Sequence, residues 1–146
     1  PAQVAVADLD GDGRQEVIWA LDRSFVLAEG TPYVGFIGIV IFDANGQELR
    51  RIPLPNRFPG MMTVADIDGD RTPEILITEA GILHAIGADG SYKWSYLVPD
   101  NPLYPQAPGF RTSYHNNIVV YDLDGDGNSE VIFNHQWSRR VTVNRE

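Results

Sequence analysis

The amino-acid sequence predicts an all-β protein built from repeated units of antiparallel strands. Three observations support this prediction: one phrase occurs three times, short apolar runs flank each copy, and no long stretch shows helical periodicity with caps. The copies read VAVADLDGDGRQEVIW, MTVADIDGDRTPEILI and IVVYDLDGDGNSEVIF. Their first aspartates, Asp8, Asp66 and Asp122, are 58 and 56 residues apart. This spacing is too long for helical solenoid repeats and suits a unit of four β-strands.

The first hairpin of each unit is predicted to enclose the acidic phrase. Apolar residues stand two and four positions before each first aspartate: Val4 and Val6, Met62 and Val64, Ile118 and Val120. A second apolar run follows each phrase at residues 17–19, 75–77 and 131–133. The intervening positions before the loop are also mostly small or apolar, which predicts strands covered on both faces. The acidic phrase is therefore expected to form the hairpin connection.

A second hairpin is predicted to follow in each unit. Residues 36–42 lead into Asn45-Gly46, a strong turn signal, and out through residues 49–54. Residues 82–86 lead into Asp89-Gly90 and out through residues 92–98. The third unit offers only residues 140–144, so we expect four, four and three strands.

Two long connections interrupt this regular pattern. Residues 22–34 lengthen the first unit, and residues 99–113, rich in proline and aromatic residues, lengthen the second. Long connections on a regular β scaffold are common places for recognition.

Composition restricts the class of protein. The 146 residues carry a formal charge of −9 and no cysteine, which matches one globular domain without disulfides or thiolate chemistry. The three phrases hold 12 of the 20 acidic residues. Acidity of this kind argues against a nucleic-acid partner, and no apolar run approaches the roughly 20 residues of a membrane span. A start at Pro1 without a signal-peptide pattern suggests a mature or trimmed piece of a longer protein.

The acidic loops have the chemistry of calcium sites. Each carries carboxylates at positions 1, 3, 5 and 9 and can add the backbone carbonyl of position 7. Hard anionic oxygens without His or Cys are what Ca²⁺ prefers, whereas Mg²⁺ seldom uses four carboxylates. Asp and Gly also dominate ordinary turns, but three acid quartets would repel strongly without a cation. The predicted ligands are Asp8, Asp10, Asp12, Arg14 and Glu16; Asp66, Asp68, Asp70, Thr72 and Glu74; and Asp122, Asp124, Asp126, Asn128 and Glu130.

The middle site is predicted to be the weakest of the three. Arg71 stands where the other loops have Gly13 and Gly127. A positive φ at this sharp turn would cost a residue with a side chain roughly 1–2 kcal/mol. The guanidinium also adds a positive charge near the ion.

These loops resemble the calcium-binding FG-GAP repeats of integrin α-subunit β-propellers. They are also similar to VCBS repeats and to the propellers of rhamnogalacturonan lyases and some fungal lectins. The hairpins GIVIFDANGQELRR and GILHAIGADGSYKWSY look like the outer strands of such blades. The resemblance implies a partial β-propeller of about three blades, each of four antiparallel strands with one Ca²⁺ in its first hairpin loop, in a family whose rings have about seven blades. Blade 1 would span about 1–58, blade 2 about 59–114, and an incomplete blade 3 about 115–146.

The leading hypothesis for function is a non-enzymatic extracellular module. Millimolar Ca²⁺ outside cells suits open oxygen-ligand loops. Calcium would stabilise blades that act as a scaffold or present a surface for adhesion to a protein or glycan.

Two alternatives stay open. A polysaccharide lyase would need a base and a cation at the substrate carboxylate; no motif links the candidate residues, which are His84, His115, His135, Tyr104, Tyr114, Arg111 and Lys93. A glycan-binding lectin would use an aromatic platform of Tyr104, Phe110, Arg111 and Tyr114. Trp19, Trp94 and Trp137 lie in strand-like runs and are interpreted as packing residues.

An incomplete ring also predicts partners. Both end blades would expose an apolar face, and an unpaired edge would lie beside Val141 and Val143. Further blades of a longer chain, or self-association, are expected to cover these surfaces.

Overall fold

The fold consists of antiparallel β-strands, as the sequence predicts. A computed structural model describes residues 3–21, 36–55, 59–79, 82–97, 113–114, 117–127, 129–133 and 136–137. Every regular element in these ranges is a strand, so the all-β prediction is confirmed. No helix in the described part of the chain is long and apolar enough to cross a membrane.

Two sheets of four strands follow each other along the chain, and each is ordered in space as it is in sequence. The first sheet contains β1 (Gln3–Ala7), β2 (Glu16–Leu21), β3 (Gly38–Phe42) and β4 (Glu48–Pro53). The second contains β5 (Pro59–Ala65), β6 (Glu74–Glu79), β7 (Ile82–Ile86) and β8 (Tyr92–Leu97). Both hairpins predicted for each of these units are therefore present.

The third unit is described as two short sheets. One pairs β10 (Ile118–Tyr121) with β11 (Glu130–Phe133), and the other pairs β9 (Ser113–Tyr114) with β12 (Gln136–Trp137). The sequence placed Ser113 at the end of a connection, but its backbone forms this ladder because Trp137 pairs with it. The predicted strand at 140–144 and most of the two predicted connections lie outside the described residues.

The outer hairpins end in the turns that the sequence predicts, and each contains a β-bulge. Gly46 and Gly90 have φ angles of 81° and 83°, which glycine adopts without steric cost. One residue after each turn has no partner in the ladder. In the first sheet, Glu48 and Arg50 pair with consecutive residues of β3, so the residue between them is left over. In the second sheet, Tyr92 and Trp94 pair with consecutive residues of β7 in the same way. The two bulge residues are Leu49 and Lys93.

The sheets stack face to face, with one apolar cluster in each gap. The first cluster joins the first two sheets and contains Leu9, Ile18, Ala20, Ile39, Ile41, Ile52, Leu54, Ile75, Ile77 and Ile86. The second joins the second sheet to the β10–β11 hairpin and contains Leu76, Leu83, Ala85 and Ile118. Because successive side chains of a strand point to opposite faces, β6 contributes to both clusters and is buried along its whole length.

Polar contacts align the first sheet on the second. The Gln3 side-chain carbonyl accepts a hydrogen bond from the backbone N–H of Met62 at 2.7 Å. The Tyr92 hydroxyl donates to the carbonyl oxygen of Pro53 at 3.2 Å, and the Arg50 guanidinium donates to the carbonyl oxygen of Asp89. These contacts fix the lateral position of two surfaces that apolar packing alone would leave free to slide.

The expectation that every strand before an acidic loop is covered on both faces is wrong for the end units. Val4 and Val6 are 62% and 56% exposed, whereas Ala5 and Ala7, which alternate with them along the strand, pack against the first cluster. Trp19 on the same outward face is 39% exposed. The cause is position in the stack: only the second sheet has a described neighbour on each side.

Two of the three tryptophans interpreted as packing residues are partly exposed. Trp94 is 37% exposed on the outermost strand of the second sheet, close to the 39% of Trp19. The side chain of Trp137 is outside the described part of the structure.

Truncation of a residue in the first cluster tests this stacking. Ile77→Ala removes a side chain with no exposed surface, so the free energy of unfolding is expected to fall by about 2–5 kcal/mol. Val4→Ala on the exposed face of β1 is the control and is expected to change it by less than about 0.5 kcal/mol. Denaturant titration at fixed calcium measures both; equal losses would contradict the described stacking.

Candidate metal centre

Each acidic phrase is the connection of a first hairpin, as predicted. The closing glutamate lies directly opposite the residue that precedes the first aspartate: Glu16 pairs with Ala7, Glu74 with Ala65, and Glu130 with Tyr121. The ninth loop position therefore lies on the last rung of the ladder, and the first position is one residue beyond that rung. This geometry returns the ninth position to the first, which brings the ends of each carboxylate set together.

The first aspartate of each loop organises the turn. Both carboxylate oxygens of Asp8 accept backbone hydrogen bonds, from the N–H of Gly11 at 2.8 Å and of Gly13 at 2.9 Å. The other two loops repeat the pattern: Asp66 with Gly69 and Arg71, and Asp122 with Gly125 and Gly127. One carboxylate at the mouth of the hairpin thus binds the fourth and sixth positions of its loop.

The third and fifth positions form smaller turns of their own. Asp10 accepts from the N–H of Asp12 at 3.1 Å, and Asp12 accepts from the N–H of Arg14 at 2.7 Å. The equivalent contacts in the other loops join Asp68 to Asp70, Asp70 to Thr72, and Asp124 to Asp126. Each bond uses one oxygen, Oδ1, and orients the side chain relative to the loop backbone.

The closing glutamate is buried in the first two loops. Glu16 and Glu74 are only 5% and 1% exposed. Each accepts a hydrogen bond from the backbone N–H of the second loop position: Glu16 from Leu9 at 2.8 Å, Glu74 from Ile67 at 3.1 Å, and Glu130 from Leu123 at 2.7 Å. A buried carboxylate is costly unless a cation or several donors neutralise it.

Three carboxylates converge in each loop. In each trio, one oxygen per residue lies within 4.8 Å of the others: Asp8, Asp10 and Glu16; Asp66, Asp68 and Asp70; Asp122, Asp124 and Glu130. The predicted ligands Asp12, Glu74 and Asp126 belong to the same loops but not to these trios. Oxygens so close together can share one small cation, and a divalent ion would offset their repulsion.

The backbone of the middle loop has the conformation that the sequence predicts. Arg71 has a φ of 73° and is the one residue other than glycine with a positive φ among the described residues. Gly13 and Gly127 at the same position have φ angles of 87° and 92°. The middle loop therefore adopts the turn of its sisters at a steric cost that they avoid.

A lysine enters the middle loop, and the sequence analysis did not predict this contact. The ammonium Nζ of Lys93 lies 2.8 Å from Asp68 Oδ2, 2.5 Å from Glu74 Oε1 and 3.7 Å from Asp70 Oδ2. Hydrogen bonds to Asp68 and Glu74 raise the pKa of the ammonium. Hydrogen bonds from Thr72, with a smaller contribution from Lys93, lower the pKa of the Asp70 carboxyl.

His84, a candidate base in the lyase alternative, is a buried structural residue. It is 4% exposed, and its Nδ1 lies 2.7 Å from the Ser95 hydroxyl oxygen, while its Nε2 lies 3.3 Å from Glu79 Oε2. The Tyr92 ring packs against it edge to face, and burial together with the Glu79 charge raises the pKa of the tyrosine hydroxyl. A polysaccharide cannot reach imidazole nitrogens enclosed in this way.

The structure leaves several predicted site residues untested. Asn128, the seventh position of the third loop, lies outside the described residues. The same holds for Tyr104, Phe110, Arg111, His115 and His135. Tyr114 belongs to β9, but its side chain is not described. The roles of the Arg14 and Thr72 carbonyls stay predictions.

No protein-family model, curated protein or solved structure matches this chain. The geometry and chemistry of the three loops are therefore the basis for assigning a function.

Proposed function

We propose that this chain forms stacked blades of a calcium-binding β-propeller, in which each acidic hairpin loop takes one Ca²⁺ and so stabilises its blade. The observation that carries the proposal is the repeated loop geometry. Three loops far apart in sequence use the same hydrogen bonds to hold three carboxylates within 4.8 Å of one another.

The donor set favours calcium over other divalent ions. The converging side chains offer oxygen only, and Ca²⁺ accepts six to eight oxygen ligands at about 2.3–2.6 Å in flexible geometry. The third to sixth positions of each loop are exposed, so water can complete the coordination. A bound ion would also neutralise Glu16, which the hairpin holds almost wholly out of solvent.

The same chemistry supports a location outside the cell. Extracellular calcium is millimolar, which fills sites of modest affinity. At ten to a hundred times the Kd, each occupied site would add roughly 1.4–2.7 kcal/mol to the free energy of unfolding. Calcium is thus a structural component of an extracellular scaffold that presents a surface for adhesion or binding.

The propeller arrangement is supported by which faces meet. Ala5, Ala7 and Ile18 of the first sheet pack in the first cluster, against the second sheet. The residues at the same offsets from the first aspartate of the third loop are Val119, Tyr121 and Ile132. These three equivalents are 43%, 64% and 42% exposed. At the other end of the stack, Val4 and Val6 are exposed, whereas their equivalents Met62 and Val64 pack against the first cluster. The exposed face of the third unit thus corresponds to the face that the first sheet packs against the second sheet. The exposed face of the first sheet corresponds to the face of the second sheet that receives it. The two exposed faces are therefore of the kinds that pack together inside the stack, as a ring of blades requires.

Calcium binding is tested by calorimetry on protein freed of metal with a chelator. We expect three binding events, the middle loop being the weakest, and a higher melting temperature with calcium. Asp10→Asn and Asp124→Asn should each remove or weaken one event, since each deletes a charge from one trio. Asp43→Asn is the matched control: Asp43 accepts backbone hydrogen bonds in an outer turn but belongs to none of the three trios. Fewer than two events, or melting insensitive to chelator, would refute the proposal.

The conformation of Arg71 yields a second test. Arg71→Gly should raise calcium affinity at the middle loop and the stability of the metal-free protein, the latter by roughly 1 kcal/mol, because a positive φ no longer carries a side chain. The reciprocal control is Gly127→Arg, which should weaken the third site. A Cβ at Gly127 meets no atom within 4 Å, so the expected effect comes only from a side chain at a positive φ and from the added charge. Calorimetry on both variants measures the affinities, and unchanged binding would show that this turn does not limit the site.

The free faces of the stack yield a third test. In calcium, the chain alone should associate with rising concentration, as measured by light scattering. Val119→Asp with Ile132→Asp should reduce association, because charges then occupy one free face. Leu97→Gln is the control: it changes a residue that is 50% exposed but lies on an outer strand of the second sheet. A wild-type protein that stays monomeric at high concentration would contradict the expected blade contact.

A further inference from the structure

We infer that Lys93 is a built-in cation of the middle loop: its ammonium takes the place of a metal ion among the carboxylates, so that this blade holds its hairpin closed without calcium. The inference rests on the proposed function, because it assigns to one of the three loops a different dependence on the ion. It also goes beyond the weakness expected from Arg71, since the cause is a side chain from another part of the blade.

The geometry of the contact matches that of a bound cation. The Lys93 ammonium reaches carboxylates from the third, fifth and ninth loop positions, at 2.8, 3.7 and 2.5 Å respectively. An ammonium has three N–H donors and no acceptor, so it can serve three carboxylates at once. The Lys93 side chain keeps 31% of its exposure, so solvent weakens its pairs with the half-exposed Asp68 and Asp70, and the pair with buried Glu74 is the strongest of the three.

The closing glutamate explains why the loop needs this charge. Glu74 is 1% exposed and has one oxygen bound to the Ile67 N–H, while its other oxygen receives the Lys93 ammonium. Both oxygens of a nearly inaccessible carboxylate are thereby satisfied within the protein. Glu16 in the first loop is also buried, but among the described residues no lysine or arginine forms an ion pair with it.

A β-bulge delivers the lysine to the loop. The acidic loop and the turn between β7 and β8 lie at the same end of the sheet, because Ile86 pairs with both Ile75 and Tyr92. The bulge leaves Lys93 without a partner in register and so redirects its side chain. The first sheet has the same bulge in the same place, but its bulge residue is Leu49, which is 53% exposed.

Calcium must therefore compete with a tethered charge in the middle loop only. A charge within about 4–6 Å changes an ionic equilibrium by one to three powers of ten. Removal of the ammonium should accordingly raise calcium affinity at this loop about tenfold or more. The same change should lower the stability of the metal-free protein, because Glu74 would remain buried without a cation.

Reciprocal exchange of the two bulge residues tests the inference. Lys93→Leu gives the second sheet the residue of the first, and Leu49→Lys does the reverse. Calorimetry should show the weakest site strengthened at least about tenfold in Lys93→Leu and one strong site weakened to a similar degree in Leu49→Lys. In chelator, the denaturant midpoint should fall for Lys93→Leu and rise for Leu49→Lys. Lys93→Arg, which keeps the charge, should resemble the wild type in both measurements.

The outcomes separate this inference from the proposed function. If the wild-type protein binds no calcium, the proposed function fails, and the midpoints in chelator still decide the role of Lys93. If calcium binds at all three loops and Lys93→Leu alters neither affinity nor the midpoint in chelator, the inference is overturned while the proposed function stands. Circular dichroism in calcium verifies that each variant folds; a Lys93→Leu protein folded only with calcium would be the strongest support.

Discussion

The closing glutamate of each acidic loop is the constraint on which the rest of the structure depends. It stands on the first rung of a hairpin, opposite the residue before the loop, and its carboxylate accepts the N–H of the second loop position. This bond holds the nine-residue turn closed and fixes the register of the strands that it joins. The carboxylate is buried in the process: Glu16 retains 5% of its exposure and Glu74 1%. In these two hairpins, a positive charge at the loop would offset the cost of that burial.

The loop chemistry is linked to the core through the residue between the first two aspartates. Leu9 gives its N–H to Glu16, and its side chain, 2% exposed, belongs to the first apolar cluster. Movement of the loop would draw this side chain out of the gap between the sheets. Leu123 makes the same backbone contact with Glu130 but is 62% exposed, because no described sheet covers it. Loop closure thus supports sheet stacking only where a neighbouring sheet covers the loop.

Local sequence signals were sufficient for the strands, the turns and the loop backbone. Alternating apolar residues and glycine turns act over a few residues, so the eight strands of the first two sheets and the positive φ of Arg71 could be predicted. The burial of each sheet face could not be predicted. Val4 and Met62 occupy equivalent positions, yet Val4 is 62% exposed and Met62 packs against the first cluster, because only the second sheet has a described neighbour on each side. The Lys93 contact could not be predicted from the sequence either. It depends on a bulge that shifts one residue and on the approach of a loop 25 residues away.

The second sheet differs from the others because it lies between two described neighbours. It is covered on both sides, and β6 is buried along its entire length. Opening the loop of its first hairpin would disturb both apolar clusters. It would therefore cost more free energy than opening the loop of a hairpin with one exposed face. A tethered lysine balances the charge of Glu74 whether or not an ion is present, whereas the loops of the outer sheets would depend on calcium if they bind it as proposed. Under that proposal, the middle hairpin would stay closed without the ion, and only the outer hairpins would need calcium to close.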